Sequence, residues 1–165
     1  MATDWTYATT IIQYSQHASD IAWVDDGTDF WNARYPDDRY LETVQPLLHI
    51  ANTLVKDIRN HTYFLQCTGF QFTNLPTTIS GVEANLSMNR GGRITDEVIQ
   101  LTYNGAAIGQ NKADFNLEID KLYGSSSDTW QYNLTNAILS DLTFGIIVKF
   151  QSHPHWPHRS TPGID

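Results

Sequence analysis

The chain has 165 residues, a length typical of one domain that buries its own core without disulfides or a structural metal. Ten Lys and Arg residues against 18 Asp and Glu residues give a net charge of −8, which disfavours nucleic acid and anionic membranes as partners. The abundance of Thr, Ile, Val and aromatic residues favours β structure.

The sequence of residues 1–60 predicts a first strand, a long loop and two short strands. Residues 5–14 are rich in Thr, Ile and aromatic side chains, as a strand would be. Residues 15–40 combine paired aspartates and Gly, which predict turns, with aromatic residues, which predict that the loop packs on the body. Pro46 breaks any long helix, so we expect short strands at 47–50 and 53–58.

The middle of the chain predicts successive antiparallel strands. Residues 63–72 form a strand with a bulge at Gly69, while 78–89 and 95–103 alternate apolar and polar side chains, as strands with one solvated face do. The dipeptide at 104–105, Asn-Gly, predicts a tight turn. The next strand is lined by four apolar residues, namely Phe115, Leu117, Ile119 and Leu122.

After a loop at 123–128, the chain predicts one short helix over residues 136–141, with Thr135 as its N-cap. Residues 142–151 are nearly all apolar and predict the last strand, in a central position. This spacing predicts an all-β fold, an antiparallel sandwich with one short helix and extended terminal arms. We divide the chain into an N-terminal region (1–60), a sandwich core (61–151) and a C-terminal arm (152–165).

The C-terminal arm holds three histidines and three prolines without periodicity. A metal site is one interpretation of the histidines, but the run fixes no ligand geometry. We expect an extended arm whose rings pack on a partner subunit, and the alternative is an arm that folds back on its own domain. The predicted interface residues are His153, His155, Trp156 and Pro157, together with Trp31 of the acidic loop.

Other constellations carry weaker hypotheses. Five loop aspartates (Asp25, Asp26, Asp29, Asp37 and Asp38) could bind calcium, but their spacing is not that of a helix–loop–helix site. Five carboxylates near strands could hydrolyse a glycosidic bond only if two were held together (Glu83, Asp96, Glu97, Glu118 and Asp120). Cys67, the only cysteine, is interpreted as a small buried hydrophobe without a partner base. We therefore expect no catalytic residue, no metal and no cofactor.

Trp130 and Tyr132 flank a polar loop. They could form a platform on which a sugar ring stacks, which is the alternative hypothesis of a carbohydrate-binding module. Aromatic residues of a sandwich more often fill its core. Residues 1–5 lack the features of a secretion signal, and no apolar run approaches the roughly 20 residues of a membrane span. We expect synthesis in a cytoplasm and no insertion into a membrane.

Over residues 70–150 the chain resembles a jelly-roll-type domain found in structural proteins of tailed bacteriophages. The matching motifs are Phe70-Gln71-Phe72, Leu75-Pro76, Ile79-Ser80-Gly81-Val82-Glu83, Ile94-Thr95-Asp96 with Val98 and Leu101, Asn111-Lys112-Ala113, Tyr123-Gly124, Asp128-Thr129-Trp130, Leu134-Thr135 and Phe144-Gly145-Ile146. In that pattern a Gly usually follows the Trp, whereas Gln131 follows it here.

The resemblance implies a virion component: a capsid decoration, a baseplate subunit or a tail-fibre subunit. It implies no catalytic residues. Its expected partners are other virion proteins and copies of itself in a homo-oligomer, while a host glycan is the partner that the carbohydrate-binding alternative would add. The expected location is the virion, after synthesis in the host cytoplasm.

Overall fold

The computed structural model describes residues 6, 8–16, 23–25, 41–43, 47–50, 58–59, 61–89, 94–114, 120–152, 159–160 and 163–164. These residues are mostly β, with antiparallel strand pairs and one short helix. In chain order the strands are β1 (Thr10–Tyr14), β2 (Trp23–Asp25), β3 (Leu41–Thr43), β4 (Leu47–Ile50), β5 (Ile58–Arg59), β6 (Phe64–Thr68), β7 (Glu83–Asn89), β8 (Ile94–Tyr103), β9 (Ala106–Ile108), β10 (Asp120–Gly124), β11 (Gly145–Ser152), β12 (Arg159–Ser160) and β13 (Gly163–Ile164). The helix α1 spans Asn136–Leu139.

The strands form three sheets. The first has the order β1-β6-β11-β8-β9, the second β10-β7-β13-β3-β2 and the third β12-β4-β5. We call them sheets 1, 2 and 3. In sheet 1, β11 pairs with β6 on one side and with β8 on the other, and its register against β8 shifts between Lys149 and Phe150. The adjacent bridge of His61 to Gln151 extends the pairing on the β6 side.

One hydrophobic cluster forms the core of the described residues. Sheet 1 contributes seven buried side chains to it: Ile11, Leu65, Ile99, Leu101, Ile146, Val148 and Phe150. Sheet 2 contributes Tyr123, and Ala84 and Leu86 of β7 pack against the same cluster. The region between β10 and β11 adds Trp130, Leu134, Leu139 and Phe144. Both larger sheets and the helical region therefore share a single core.

Several predicted elements are confirmed. The strand expected at 95–103 is β8, and the apolar run near the end of the chain is central, since every residue from 145 to 151 is buried. Thr135 caps α1, because its hydroxyl accepts a hydrogen bond from the Ile138 amide. Asn104 and Gly105, with φ of 52° and 75°, make the two-residue turn between β8 and β9.

Other boundaries were predicted wrongly. β6 ends at Thr68, and Gly69 lies after the strand with a φ of 75°, so it is not a bulge within one. β7 begins only at Glu83, because the chain at Gly81 packs its backbone against the loop at 125–128 and is not available for pairing. Likewise β1 begins at Thr10, and residues 115–119 of the strand predicted to follow the Asn104-Gly105 turn lie outside the described residues.

The apolar run was also predicted to be the last strand, which is wrong. Two short strands, β12 and β13, follow it within the predicted arm. They were missed because each has two residues, too few to show a period of two. No helix among the described residues is long and apolar enough to cross a membrane.

Candidate functional site: the Trp130 loop

Several residues singled out in the sequence lie in or against the loop of residues 125–135, here called the Trp130 loop. It joins β10 to α1 and contains no strand. Asp128 begins its reversal, because a carboxylate oxygen of Asp128 accepts a hydrogen bond of 2.8 Å from the Trp130 amide. The Asp128 carbonyl accepts another, of 3.0 Å, from the Val82 amide. The loop is thus attached to the segment that leads into β7.

Trp130 is the buried centre of this loop. Its side chain is 0% exposed, and its indole Nε1 donates a 2.9 Å hydrogen bond to the Val82 carbonyl. Its own carbonyl accepts a 2.6 Å bond from the Gln110 amide. Every polar group of Trp130 is therefore bonded to its own chain, as a buried Trp requires.

Glycines surround Trp130 where a side chain would not fit. A Cβ at Gly109 would overlap the Trp130 carbonyl oxygen. A Cβ at Gly124 would overlap the Val82 carbonyl oxygen and lie 2.6 Å from Trp130 Nε1. Both glycines also have a positive φ, 69° and 78°, which side chains disfavour. These two positions require glycine for clearance and for conformation.

The backbone of Trp130 and Gln131 is strained. Both residues have a φ of 56°, in the left-handed region that costs an L residue roughly 1 kcal/mol. Position 131 is the one at which the phage-type pattern has Gly. The chain therefore adopts a conformation that suits Gly at this position, although it carries Gln.

Lys112 contacts both Asp128 and the ring of Trp130 in this loop. Its Nζ lies 2.7 Å from Asp128 Oδ2 and 5.9 Å from the centre of the Trp130 ring. The hydrogen bond from Lys112 holds the pKa of Asp128 below its ordinary value of 3.8, and the bond from the Trp130 amide lowers it further against the desolvation of the carboxylate. One ion pair thus links the segment after β9 to the Trp130 loop.

The side chain of Asn111, beside Lys112, forms hydrogen bonds to the backbone of β8. Its Oδ1 accepts hydrogen bonds from the amides of Ile99 (2.9 Å) and Ala113 (3.0 Å), and its Nδ2 donates to the Glu97 carbonyl (3.0 Å). These bonds satisfy backbone groups of β8 beyond the end of β9. Its bonds to β8 could not be predicted locally, because they join residues 12 and 14 positions apart in the sequence.

A buried carboxylate connects sheets 1 and 2. Asp96 of β8 is 0% exposed, and its Oδ2 accepts hydrogen bonds from the Tyr123 hydroxyl of β10 (3.0 Å) and the Asp114 amide (3.3 Å). Lys121, also in β10, is 2.5 Å from both carboxylate oxygens of Asp114. This network fixes the two sheets relative to each other.

A second polar cluster lies on sheet 1. His61 Nδ1 is 2.8 Å from Glu97 Oε2, and Lys149 Nζ is 3.9 Å from the same oxygen. The Lys149 side chain is only 4% exposed and its Nζ lies 4.7 Å from the centre of the Phe64 ring. This arrangement places a buried cation between a carboxylate and an aromatic face, which compensates for part of its lost hydration.

The predicted interface residues cannot be placed, because Trp31, His153, His155, Trp156 and Pro157 lie outside the described residues. Four of these residues belong to the C-terminal arm, and other residues of that arm do pair with strands of the same chain. β12 pairs with β4, and β13 pairs with β3 and β7. These pairs favour the alternative in which the arm folds back onto a β-sheet.

Trp130 does not offer the exposed face that sugar stacking needs, because its side chain is entirely buried. Tyr132 is partly buried and packs against the core. The sequence could have indicated this result, since Gly124 and Gly109 precede a single Trp in a polar loop, a pattern that suits a buried ring. The stacking platform is thereby reduced to Tyr132 alone.

The other candidate residues are not brought together where the structure describes them. Asp26, Asp29, Asp37, Asp38 and Glu118 lie outside the described residues, and of Asp25 and Asp120 only the backbone is described. Among the described residues no three His, Cys, Asp or Glu side chains form a group that could hold a metal ion. Cys67 is partly buried, and desolvation raises the pKa of its thiol to about 12, so it is a weak nucleophile.

Comparison with protein-family models, with curated proteins and with solved structures finds no match for this chain.

Proposed function

We propose that this chain is a non-enzymatic structural module that acts through protein–protein contacts as a component of a tailed-phage virion, such as a capsid decoration, tail or baseplate subunit. One observation carries the proposal. Motif residues that are far apart in the sequence lie in or against the Trp130 loop: Gly81 and Gly124 pack on it, Val82 and Asp128 bond to Trp130, and Lys112 pairs with Asp128.

The framework uses its polar side chains within the fold. Asn111 bonds to the backbone of β8, Asp96 to Tyr123 and Asp128 to Trp130 and Lys112. Thr135 caps α1. A motif that recurs for structural reasons is expected to use its residues in this way, whereas the motif of a catalytic site holds polar groups for a substrate.

We further propose that the fold is a jelly-roll sandwich in which sheets 1 and 2 face each other. The shared hydrophobic cluster supports this arrangement, because it combines side chains from β6, β8 and β11 with Tyr123 from β10. The bond from Tyr123 to Asp96 supports it as well. In a sandwich the inner faces of two sheets supply one core.

Exposed apolar side chains at sheet edges are consistent with a role in assembly. Ile12 is 52% exposed on β1, at one edge of sheet 1, and Leu122 is 49% exposed on β10, at one edge of sheet 2. Single exposed apolar residues are common on monomers. Here they lie on edge strands, the part of a sheet to which another chain can add.

The proposal is tested by oligomeric state and by location. We expect light scattering with size-exclusion chromatography to give a discrete oligomer at micromolar concentration, and we expect antibodies against the chain to label phage particles from the source organism in electron microscopy. A chain that stays monomeric at all concentrations and labels no particle contradicts the proposal. Retention of such a monomer on a glycan array, lost in Tyr132→Ala, would establish the carbohydrate-binding alternative instead.

A further inference from the structure

The second sheet depends on a very short strand in its interior. β13 has two residues, and it lies between β7 and β3. Gly163 is opposite Asn89 on one side and Glu42 on the other, while Ile164 is opposite Met88 and Leu41. Among the described residues, β13 is the connection between the β10–β7 pair and the β3–β2 pair of this sheet.

Without β13, this sheet has a slot with two facing edges. The edge of β7 at residues 88–89 and the edge of β3 at residues 41–42 would each present backbone groups that β13 now pairs. Such edges are templates for any extended chain of matching length. β12 pairs in the same way with β4 in sheet 3, with Arg159 opposite Leu48 and Ser160 opposite Leu47.

The slot does not require that its strand come from the same chain. An identical segment from a second copy would form the same backbone pairs, so the exchange changes neither the hydrogen bonds nor the register. The balance is then set by the connecting residues and by the local concentration of copies. In a symmetric assembly the local concentration is high, which favours exchange.

The residues that connect β11, β12 and β13 have a sequence that favours extended chain. Six residues, 153–158, separate β11 from β12, and two of them are Pro154 and Pro157, while Pro162 directly precedes β13. Proline fixes φ in a range compatible with extended chain and biases the residue before it in the same direction. Six residues span at most about 20 Å when fully extended, and this length limits how far β12 can lie from the end of β11.

We propose that, in the assembled protein, the strands β12 and β13 of one copy occupy the slots beside β4 and between β3 and β7 of a second copy. This inference rests on the proposed function, because it names the partner and the segment through which copies associate. It assigns the interchain contact to the pairing of residues 163–164 with residues 88–89 and 41–42 of the neighbour.

Disulfide trapping across the register tests the exchange. Asn89→Cys and Gly163→Cys are made in separate full-length chains, which are refolded together and oxidised. Residues opposite each other on antiparallel strands are close enough for a disulfide. We expect a disulfide-linked dimer containing one chain of each kind, in an amount that follows the oligomer fraction measured by light scattering. Met88→Cys with Ile164→Cys is the second pair, used if the first variants do not fold.

Matched controls identify the origin of any cross-link. Ile12→Cys with Gln66→Cys, which are opposite each other in the β1–β6 pair, should give no mixed dimer, because that pair is not exchanged. The unmodified chain controls for Cys67. If the oligomer forms but the mixed chains do not cross-link, while the double variant N89C/G163C cross-links within one chain, the exchange is wrong and the proposed function is unaffected. If only monomer forms, the proposed function fails as well.

Discussion

β11 and the Trp130 loop both contribute buried side chains to the core, but they do so in different ways, since every residue from 145 to 151 is buried whereas only Trp130 and Leu134 are buried in the loop. β11 is a mostly apolar run that pairs along both sides, and its apolar side chains Ile146, Val148 and Phe150 fill the core by packing. The Trp130 loop is polar in sequence and buries one large ring. Trp130 donates hydrogen bonds to the Val82 carbonyl and the Asp128 carboxylate and accepts one from the Gln110 amide, and two glycines leave the clearance that it needs. Burial in the strand is therefore distributed over many side chains, whereas in the loop it is concentrated in Trp130 and Leu134.

The largest single effect on stability is expected at Trp130. We expect Trp130→Ala to lower the free energy of unfolding by about 4 kcal/mol, because it leaves a large cavity and unpairs the Val82 carbonyl. Urea denaturation measures this. Trp130→Phe keeps a ring but loses the indole bond, and should cost less. Equal stability of Trp130→Ala and the parent chain would contradict a concentrated anchor.

In β11 the corresponding truncation should cost somewhat less. Ile146→Ala removes a side chain that is 5% exposed, and we expect a loss of about 3 kcal/mol in urea denaturation. Ile12→Ala, on the same sheet but 52% exposed, is the matched control and should cost less than about 1 kcal/mol. A larger loss for Ile12 than for Ile146 would mean that the core face of sheet 1 is assigned incorrectly.

The clearance around Trp130 is tested by two glycines with nearly the same backbone. Gly124 and Gly105 have φ of 78° and 75°, but a Cβ meets Val82 and Trp130 only at Gly124 and nothing within 4 Å at Gly105. Both Ala variants carry the conformational cost of about 1 kcal/mol. We expect Gly124→Ala to cost about 1 to 2 kcal/mol more, measured as a lower melting temperature. Equal shifts would show that the loop tolerates a side chain beside the ring.

The Lys112–Asp128 pair should make stability depend on pH at the acidic end. Because the folded pKa of Asp128 lies below its ordinary value of 3.8, the ion pair stabilises the fold fully above that value and loses its contribution as the pH falls through the lower folded pKa. We expect the urea midpoint of the parent chain to fall more steeply below pH 4 than that of Asp128→Asn. The pair is partly exposed, so the difference should be smaller than the glycine effect.

Asp141 provides the control for this pH dependence. Its pKa is also lowered, by hydrogen bonds from the Thr143 amide and hydroxyl in the turn before β11. Asp141→Asn should remove that contribution and leave the one from Asp128 in place. If Asp128→Asn keeps the acid dependence of the parent chain, the ion pair does not link the Trp130 loop to residue 112 in solution.

The smallest expected effect is a gain in stability. Gln131 has a φ of 56°, so Gln131→Gly relieves left-handed strain while adding freedom to the unfolded chain. The two terms leave a net stabilisation of about 0.5 kcal/mol. Thermal unfolding measures it as a small rise in melting temperature. A clear fall would show that the residue is not left-handed, or that its side chain has a contact worth more than the strain.

The sequence by itself determined the elements whose evidence is local. Alternation over 95–103 predicted β8, the apolar run predicted that β11 is central, Asn104-Gly105 predicted its turn and Thr135 predicted its cap. Each depends on residues within a few positions of one another. The predicted sandwich agrees with the structure as far as antiparallel sheets with little helix.

Tertiary structure alone decided the pairs between distant segments. The Trp130 indole reaches Val82, 48 residues earlier, and Asp96 meets Tyr123, 27 residues later. The shortened start of β7 and the two-residue strands β12 and β13 likewise depend on which backbone lies opposite them. A hydrogen bond or an ion pair needs one specific partner, and local composition carries no information about a partner that only the folded chain brings near. Hydrophobic burial needs no particular partner, so the spacing of apolar residues along a strand is enough to predict it.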